Sequence, residues 1–196
     1  IKDWRWWVEF NRGVKMIYRT GTYAQRNIGG ATILIPDSNA TWIDENGTVT
    51  TSLGKIVPSS TGTGWDKSGS FGSLPASTDG FVEFQGVYMS GHSSGGYAMC
   101  GLTTTTSGGS YANIEYAMHL FNGTKIEVYE SGSRIYTFSS AYVLTDVFRV
   151  ERVGSTIYYK KNGTTFYTSL VTSTALLKAK CAIWGYLGFE NLKIEY

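Results

Sequence analysis

Side chains able to carry out acid–base chemistry are few and are spread along the sequence. The closest acidic pairs are Glu127 with Glu130 and Asp44 with Glu45. A retaining glycosidase needs two carboxyl groups about 5 Å apart, one as nucleophile and one as acid. Because side chains alternate between the faces of a strand, residues one or three positions apart point in opposite directions. Neither pair therefore predicts a glycosidase centre.

The two histidines, His92 and His119, do not suggest a catalytic group either. His92 lies in a run of Gly and Ser, which predicts a solvated loop residue. His119 lies within a predicted strand, where we expect a half-buried edge position. The nucleophile elbow of serine hydrolases needs a strand-to-helix turn, and no helix is predicted. The sequence therefore predicts a protein that is not an enzyme.

The residues that could hold a metal are scattered. Five aspartates stand singly along the chain: Asp37, Asp44, Asp66, Asp79 and Asp146. Calcium takes six or more oxygen ligands, which can converge from separate loops. No cofactor is predicted, and a calcium site is kept as an alternative. Cys100 and Cys181 lack the close spacing of a zinc site. They are either buried free thiols or a disulfide between adjacent strands.

Four asparagines lie in Asn-x-Ser/Thr sequons: Asn39, Asn46, Asn122 and Asn162. Three of them are followed by Gly-Thr, and Asn-Gly is a favoured pair for a tight hairpin turn. The same tripeptides are acceptors for N-glycosylation in secreted chains. The sequence is consistent with both a hairpin turn and a glycosylation site at these positions.

A third set of candidates consists of aromatic residues at loops or strand ends, which form either a sugar-binding platform or part of the core: Trp65, Tyr88, Tyr111, Trp184 and Tyr186.

The elements that must position these residues are strands. Aromatic residues make up 15% of the chain, which also contains 24 glycines, and this composition is typical of many short strands joined by turns. From Ile114 onward, strands alternate with turns every 8 to 12 residues or so, the pattern of a sandwich or barrel. Residues 38 to 80 are rich in Ser, Thr and Gly, and short strands are expected only around Trp42 and Leu53–Val57.

Charge and hydropathy exclude two classes of partner. The formal net charge is +2, which is too small for the dense basic face of a nucleic-acid-binding protein. No apolar run approaches the 18 or so residues of a membrane-spanning helix. We therefore expect neither a nucleic-acid partner nor a membrane span.

The strand segments of the C-terminal four fifths of the chain resemble a known fold family. The similarity lies in Gly64–Asp66, Asp79–Phe84, Gly101–Leu102, Tyr116–Leu120, Ile126–Gly132, Asp146–Glu151, Ile157–Thr164 and Phe166–Ser169. These segments resemble a concanavalin A-like, laminin-G-like jelly roll over about residues 41–196. The resemblance implies an all-β antiparallel sandwich in a bacterial surface or secreted protein, and hence an extracellular or cell-surface location. The family contains lectins, glycosidases and structural domains, so the fold does not select a function.

Residues 1–40 are expected to form an N-terminal extension of strands and hairpins. Its first strand is apolar on both faces and would have to be covered on both sides, or would pair with a neighbouring molecule. The candidate assembly residues are Trp4, Trp6, Trp7, Val8 and Phe10. The favoured hypothesis is therefore a structural subunit that self-assembles into a homo-oligomer or filament, such as a surface fibre. The alternative is a lectin-like module that binds glycans, with residues 1–40 completing their own sandwich.

Overall fold

The computed structural model describes residues 54–60 and 64–196 in full, the environment of Val49, and the backbone alone of six strands between residues 9 and 52. The chain divides into two compact units, Ile1–Asp37 and Ser38–Tyr196. All strands that pair do so in antiparallel fashion.

The first unit contains two antiparallel strand pairs. Strand β1 (Glu9–Phe10) pairs with β2 (Gly13–Val14), and β3 (Tyr23–Ile28) pairs with β4 (Ala31–Pro36). Of the proposed assembly residues, Trp4, Trp6, Trp7 and Val8 lie outside the described residues, and Phe10 is described only through its backbone in β1. The assembly hypothesis therefore stays a prediction.

The second unit is a sandwich of two seven-stranded sheets, which confirms the all-β jelly roll. Its strands are β5 (Trp42–Asn46), β6 (Val49–Ser52), β7 (Lys55–Pro58), β8 (Lys67–Leu74), β9 (Gly80–Tyr88), β10 (Tyr97–Thr103), β11 (Tyr116–Phe121), β12 (Lys125–Glu130), β13 (Ser133–Phe138), β14 (Phe148–Val153), β15 (Thr156–Lys161), β16 (Thr164–Thr168), β17 (Leu177–Trp184) and β18 (Leu187–Glu195). The first sheet has the order β13-β12-β11-β10-β17-β8-β5, and the second has the order β16-β15-β14-β9-β18-β7-β6.

The core lies between the two sheets and follows the two-residue period of the strands. In β14, Phe148 and Val150 are buried while Arg149 and Glu151 are only half-buried. Phe84 packs between Phe148 and Phe189, with ring centroids 5.8 and 5.0 Å apart. Burial of such aromatic side chains supplies most of the hydrophobic stabilisation of a sandwich.

Cys100 and Cys181 contribute to the same core from adjacent strands. They lie directly opposite each other in the β10–β17 pairing, and both are free, buried thiols. Burial raises the pKa of the Cys100 thiol well above its ordinary value, and the neighbouring Cys181 thiol raises it further. The structure contains the free-thiol alternative, and a disulfide at this position remains a prediction.

Two elements differ from the sequence-based expectation. Strand β8 was not predicted, because its Ser- and Gly-rich sequence lacks the β-branched residues that favour strands. The Asn122-Gly123 turn joins its strands through three residues rather than two, since Phe121 pairs with Lys125. The Asn162-Gly163 turn is a true two-residue hairpin with both φ angles positive, as a type I′ turn requires.

Candidate functional site

The face of the first sheet that points away from the core carries a group of polar and aromatic side chains. On β11 and β12, the residues that enter the core are Tyr116, Met118, Leu120, Ile126 and Val128. Strand alternation turns the residues between them outward. One row of this outer face runs across five strands in the order Glu127, His119, Met99, Ala182, Ser68, as the strand pairings define it.

Six half-buried aromatic side chains surround His119, and we call them the aromatic enclosure: Trp65, Tyr97, Tyr111, Phe121, Tyr129 and Trp184. The His119 ring lies 5.6 Å from Trp65, 5.8 Å from Tyr97 and 5.5 Å from each of Phe121 and Tyr129, between ring centroids. All four contacts are edge-to-face, which is a favourable arrangement for aromatic rings.

Contacts between the six rings continue around the histidine. The centroid distances are 5.9 Å for Tyr129–Tyr111, 4.9 Å for Tyr111–Trp65, 5.9 Å for Trp65–Trp184, 6.2 Å for Trp184–Tyr97 and 4.6 Å for Tyr97–Phe121. The rings therefore form an almost continuous wall, and the imidazole lies within it.

A charge cluster around the buried Glu127 carboxylate holds the imidazole in place. His119 Nδ1 lies 2.9 Å from Glu127 Oε2. The other carboxylate oxygen, Oε1, accepts hydrogen bonds from Lys125 at 2.8 Å and Arg134 at 3.1 Å. The Glu127 side chain is only 2% exposed, and a buried carboxylate is tolerated only when it is paired in this way.

The pKa values of the two groups follow from these contacts. Burial lowers the pKa of His119 below its ordinary value of 6.5, although the bond to Glu127 acts in the opposite direction. Burial by itself would raise the pKa of Glu127, but hydrogen bonds from Lys125, His119 and Arg134 outweigh it, and the pKa is lowered. At neutral pH the pair is therefore a neutral imidazole donating from Nδ1 to a carboxylate.

Unpaired polar atoms are concentrated on this face. Within the described residues, four buried side-chain atoms have no hydrogen-bond partner: Ser68 Oγ, Ser70 Oγ, His119 Nε2 and Tyr142 Oη. The two serines and His119 all lie on the outer face of the first sheet, whereas Tyr142 belongs to the core. Buried polar atoms are normally satisfied, so unpaired ones need an explanation in each case.

The position of Tyr111 is set by an anchored loop. The buried Lys180 ammonium on β17 donates to three backbone carbonyl oxygens, those of Thr106, Ser107 and Gly108, at 3.0, 3.0 and 2.8 Å. This fastens the segment between β10 and β11 at the outer face. A single turn of 3-10 helix, Tyr111–Asn113, follows and is capped by the Ser110 side chain. The enclosure therefore depends on both strands and this loop.

The structure brings together three of the five aromatic residues proposed from the sequence, namely Trp65, Tyr111 and Trp184. Tyr186 instead stacks on His92 with centroids 3.9 Å apart, and Tyr88 packs against the core. The other three rings, those of Tyr97, Phe121 and Tyr129, were not among the candidates from the sequence, although their alternation with core residues would have placed them on the outer face. The expected half-buried edge position of His119 was wrong, because β11 is the third strand of its sheet and the residue is buried.

The other predicted sites are not brought together. Glu127 faces outward, whereas Glu130 accepts a hydrogen bond from Tyr159 of the second sheet, so this pair does not share a face. The side chains of Asp44 and Glu45 lie outside the described residues. Within the described part of the chain, no three His, Cys, Asp or Glu side chains form a group able to hold a metal.

The sequons differ in their surroundings. Asn122 and Asn162 are in exposed turns. The Asn162 amide is already engaged, since its Nδ2 donates to Asp146 at 2.7 Å, whereas the Asn122 side chain accepts from Gly95 through its Oδ1. Asn39 and the side chain of Asn46 lie outside the described residues. In the part of the chain that is described, no helix has the length and apolar character needed to cross a membrane.

The fold is that of a concanavalin A-like jelly roll, and solved structures of this class are similar to the chain. The carbohydrate-binding module CBM66 from Bacillus subtilis has a TM-score of 0.52 and 15% identity, over 79% of this chain and 95% of that one. The β-glucanase of Bacillus licheniformis has a TM-score of 0.51 and 12% identity, over 97% and 96% of the two chains. The alginate lyase AlgAT5 from polysaccharide lyase family 7 has a TM-score of 0.51 and 10% identity, over 76% and 82%.

No family model and no curated protein matches the sequence. At the identities found, the similarity to solved structures establishes the fold alone. It nevertheless corrects one expectation. The prediction of a protein that is not an enzyme, made from the lack of catalytic motifs, is contradicted, because two of these three neighbours are enzymes and the fold is compatible with carbohydrate-active enzymes.

Proposed function

We propose that the second unit is a carbohydrate-binding domain and that the aromatic enclosure is its binding site. The observation that carries the proposal is the grouping of six half-buried aromatic rings on one outer sheet face. Tyr and Trp side chains present an apolar ring face together with a polar hydroxyl or N–H group. A sugar offers the matching surface, with C–H groups on its ring face and hydroxyl groups at its rim.

The polar floor of the enclosure supports the same proposal. A binding pocket combines apolar walls with a few fixed polar groups that set orientation. Here the walls are the aromatic rings, and the polar groups are His119 and the Glu127 cluster. Among the fold neighbours, CBM66 is described as a carbohydrate-binding module. On this proposal the domain works at the cell surface or in the extracellular space.

The earlier hypothesis of a fibre subunit has less support. It rests on the tryptophan-rich segment of residues 1–40, for which no side chain is described. None of the three neighbours is described as a fibre protein. Glycan binding is therefore preferred, and self-assembly through residues 1–40 stays a separate, testable hypothesis.

The test is a comparison of three variants against a panel of glycans. Tyr111→Ala and Trp65→Ala each remove one wall of the enclosure, and Tyr158→Ala removes a half-buried tyrosine from the second sheet. Loss of one stacking contact, worth about 0.5–1.5 kcal/mol, weakens binding by roughly 2- to 13-fold. Titration calorimetry with a glycan identified on the panel should show this loss in the first two variants and wild-type affinity in the third. Equal affinity in all three, or no binding to any glycan, would refute the proposal.

A second candidate function is a carbohydrate-active enzyme that uses His119 as a general base. The observation in its favour is the neutral imidazole, which is oriented by Glu127 and has an unpaired Nε2 atom. Orientation of a base by a third group is common in active sites. Prolonged incubation of the domain with each bound polysaccharide, followed by chromatography of the products, distinguishes the two functions: chain shortening supports the enzyme and unchanged polymer supports the binding domain.

A further inference from the structure

If the enclosure binds a sugar, as in the proposed function on which this inference rests, His119 Nε2 is the atom placed to select it. His119 Nε2 is buried and unpaired, and the whole residue is only 4% exposed. An imidazole nitrogen without a proton is a hydrogen-bond acceptor. A buried acceptor that meets no donor is costly to keep, so such an atom in a candidate site indicates a donor that arrives with the ligand.

The charge cluster determines which nitrogen is the acceptor. Glu127 is ionised, because its Oε1 accepts from both Lys125 and Arg134. Its Oε2 therefore accepts a hydrogen bond from Nδ1. This bond fixes the tautomer in which Nδ1 carries the proton and Nε2 carries none. Since Nδ1 faces β12, Nε2 on the far side of the ring is directed away from that strand.

The same cluster argues against an anionic ligand at this position. Lys125 and Arg134 are both paired with the Glu127 carboxylate, and Lys180 is committed to three backbone carbonyls. A carboxylate or sulfate group on a sugar would meet the buried Glu127 charge with no cation reserved for it. A neutral hydroxyl group carries no such penalty and supplies the donor that Nε2 lacks.

We propose that His119 Nε2 is the specificity-determining acceptor of the site and binds a hydroxyl group of a neutral sugar that stacks within the aromatic enclosure. The surrounding rings cover Nε2 in the unliganded chain, so one ring has to move when the sugar enters. Trp65 is the candidate, because it lies against His119 and precedes β8, while Tyr97, Phe121, Tyr129 and Trp184 are held within strands.

The direct test is nitrogen-15 NMR of the two histidines in the complete chain. The probe is the tightest-binding neutral oligosaccharide from the glycan panel, and His92→Gln assigns the signals. Without sugar, His119 should show a protonated Nδ1 and a bare Nε2. Saturating sugar should shift the Nε2 resonance towards that of a hydrogen-bonded nitrogen while Nδ1 stays protonated, and tryptophan fluorescence should change as Trp65 moves. An Nε2 resonance that is unchanged at saturation would overturn the inference.

Variants and a matched ligand provide a second readout. His119→Phe keeps a ring in the enclosure but removes the acceptor, and should weaken binding about three- to tenfold. His92→Phe, which alters the ring stacked on Tyr186, is the control and should bind as wild type. The matched ligand is the same oligosaccharide with its hydroxymethyl groups oxidised to carboxylates, and it should bind more weakly. Stronger binding of the oxidised sugar would also overturn the inference.

The outcomes keep the two proposals apart. If no glycan binds, or if Trp65→Ala and Tyr111→Ala bind as wild type, the proposed function fails. If glycans bind through the enclosure but the Nε2 resonance is unchanged, the proposed function stands and the role of His119 fails. The NMR measurement uses the wild-type chain, so it gives an answer even if His119→Phe does not fold.

Discussion

At the residue scale, the buried pair of His119 and Glu127 shows how context changes the role of a side chain. A histidine within a strand has no special property by sequence alone. In the sheet it meets a carboxylate on the neighbouring strand at the opposite position, and four aromatic rings exclude water from it. The result is an oriented, neutral imidazole with one buried nitrogen that has no hydrogen-bond partner.

Because of this pair, we expect the stability of the folded chain to decrease in two steps as the pH is lowered. The pKa of His119 is lower in the folded chain than its ordinary value of 6.5, so the unfolded chain binds more protons between those two pKa values. Stability is therefore lost as pH falls from 6.5 through the folded pKa of His119. The lowered pKa of Glu127 adds a second loss below its ordinary value of 4.5.

Urea unfolding followed at a series of pH values measures both steps. His119→Phe should lack the first step, and His92→Phe, which alters the other histidine, should keep it. If wild type and His119→Phe lose stability in parallel between about pH 7 and pH 5, the buried imidazole is not the group responsible.

At the element scale, the loop between β10 and β11 depends on one cation from a different part of the chain. Lys180 lies on β17 and donates to three carbonyls of this loop, more than 70 residues away in sequence. Because the 3-10 turn with Tyr111 follows directly, Lys180 is expected to help position one wall of the enclosure. A second buried cation acts similarly, since Arg152 donates to the carbonyls of Pro75, Thr78 and Ala175.

Lys180→Met should therefore lower both stability and glycan affinity. It removes the charged donor of three loop carbonyls, at a cost of about 1–3 kcal/mol in the free energy of unfolding. Lys178→Met is the matched control, because Lys178 is half-buried two residues earlier on the same strand. Denaturant unfolding and calorimetry should show a loss for Lys180→Met and little change for Lys178→Met. A Lys180→Met variant with wild-type affinity would mean that the loop holds Tyr111 without this anchor.

At the scale of the whole molecule, glycan binding and self-assembly are each assigned to a different compact unit. The jelly roll from Ser38 to Tyr196 contains the enclosure, while the proposed assembly residues are in the unit Ile1–Asp37. Removal of residues 1–37 should leave a folded chain that binds glycans as the full chain does, because each unit holds its own set of contacts. Thermal unfolding and calorimetry measure this result, and unfolding of the truncated chain would show that the first unit is required for the second.

The same truncation tests self-assembly. Light scattering of the full chain over a range of concentrations should show species larger than a monomer if residues 1–37 mediate assembly, and the truncated chain should then be monomeric. Trp4→Ser, Trp6→Ser and Trp7→Ser combined in the full chain should reproduce the truncation, since they remove the apolar area proposed for the contact. A full chain that is monomeric at every concentration would refute the assembly hypothesis.

The local features of this protein could be predicted from the order of its residues. The two-residue period of apolar positions and the Asn-Gly turns predicted strands such as Tyr116–Phe121 and the jelly-roll class, because side-chain alternation and turn chemistry are properties of neighbouring residues. The prediction failed for β8, a Ser- and Gly-rich segment with low intrinsic strand propensity. It becomes an interior strand because it pairs with β17 on one side and β5 on the other.

The residues that make up the candidate site could be identified only from the tertiary structure. Trp65, Tyr111 and Trp184 are distant in sequence, and they meet because the sheet order places β17 between β10 and β8 while Lys180 fastens the intervening loop. The neutral state of His119 likewise depends on burial and on Glu127, neither of which is a local property. Long-range strand pairing is set by the packing of the whole sandwich, and for this reason the strand pattern was predictable from the sequence while the enclosure was not.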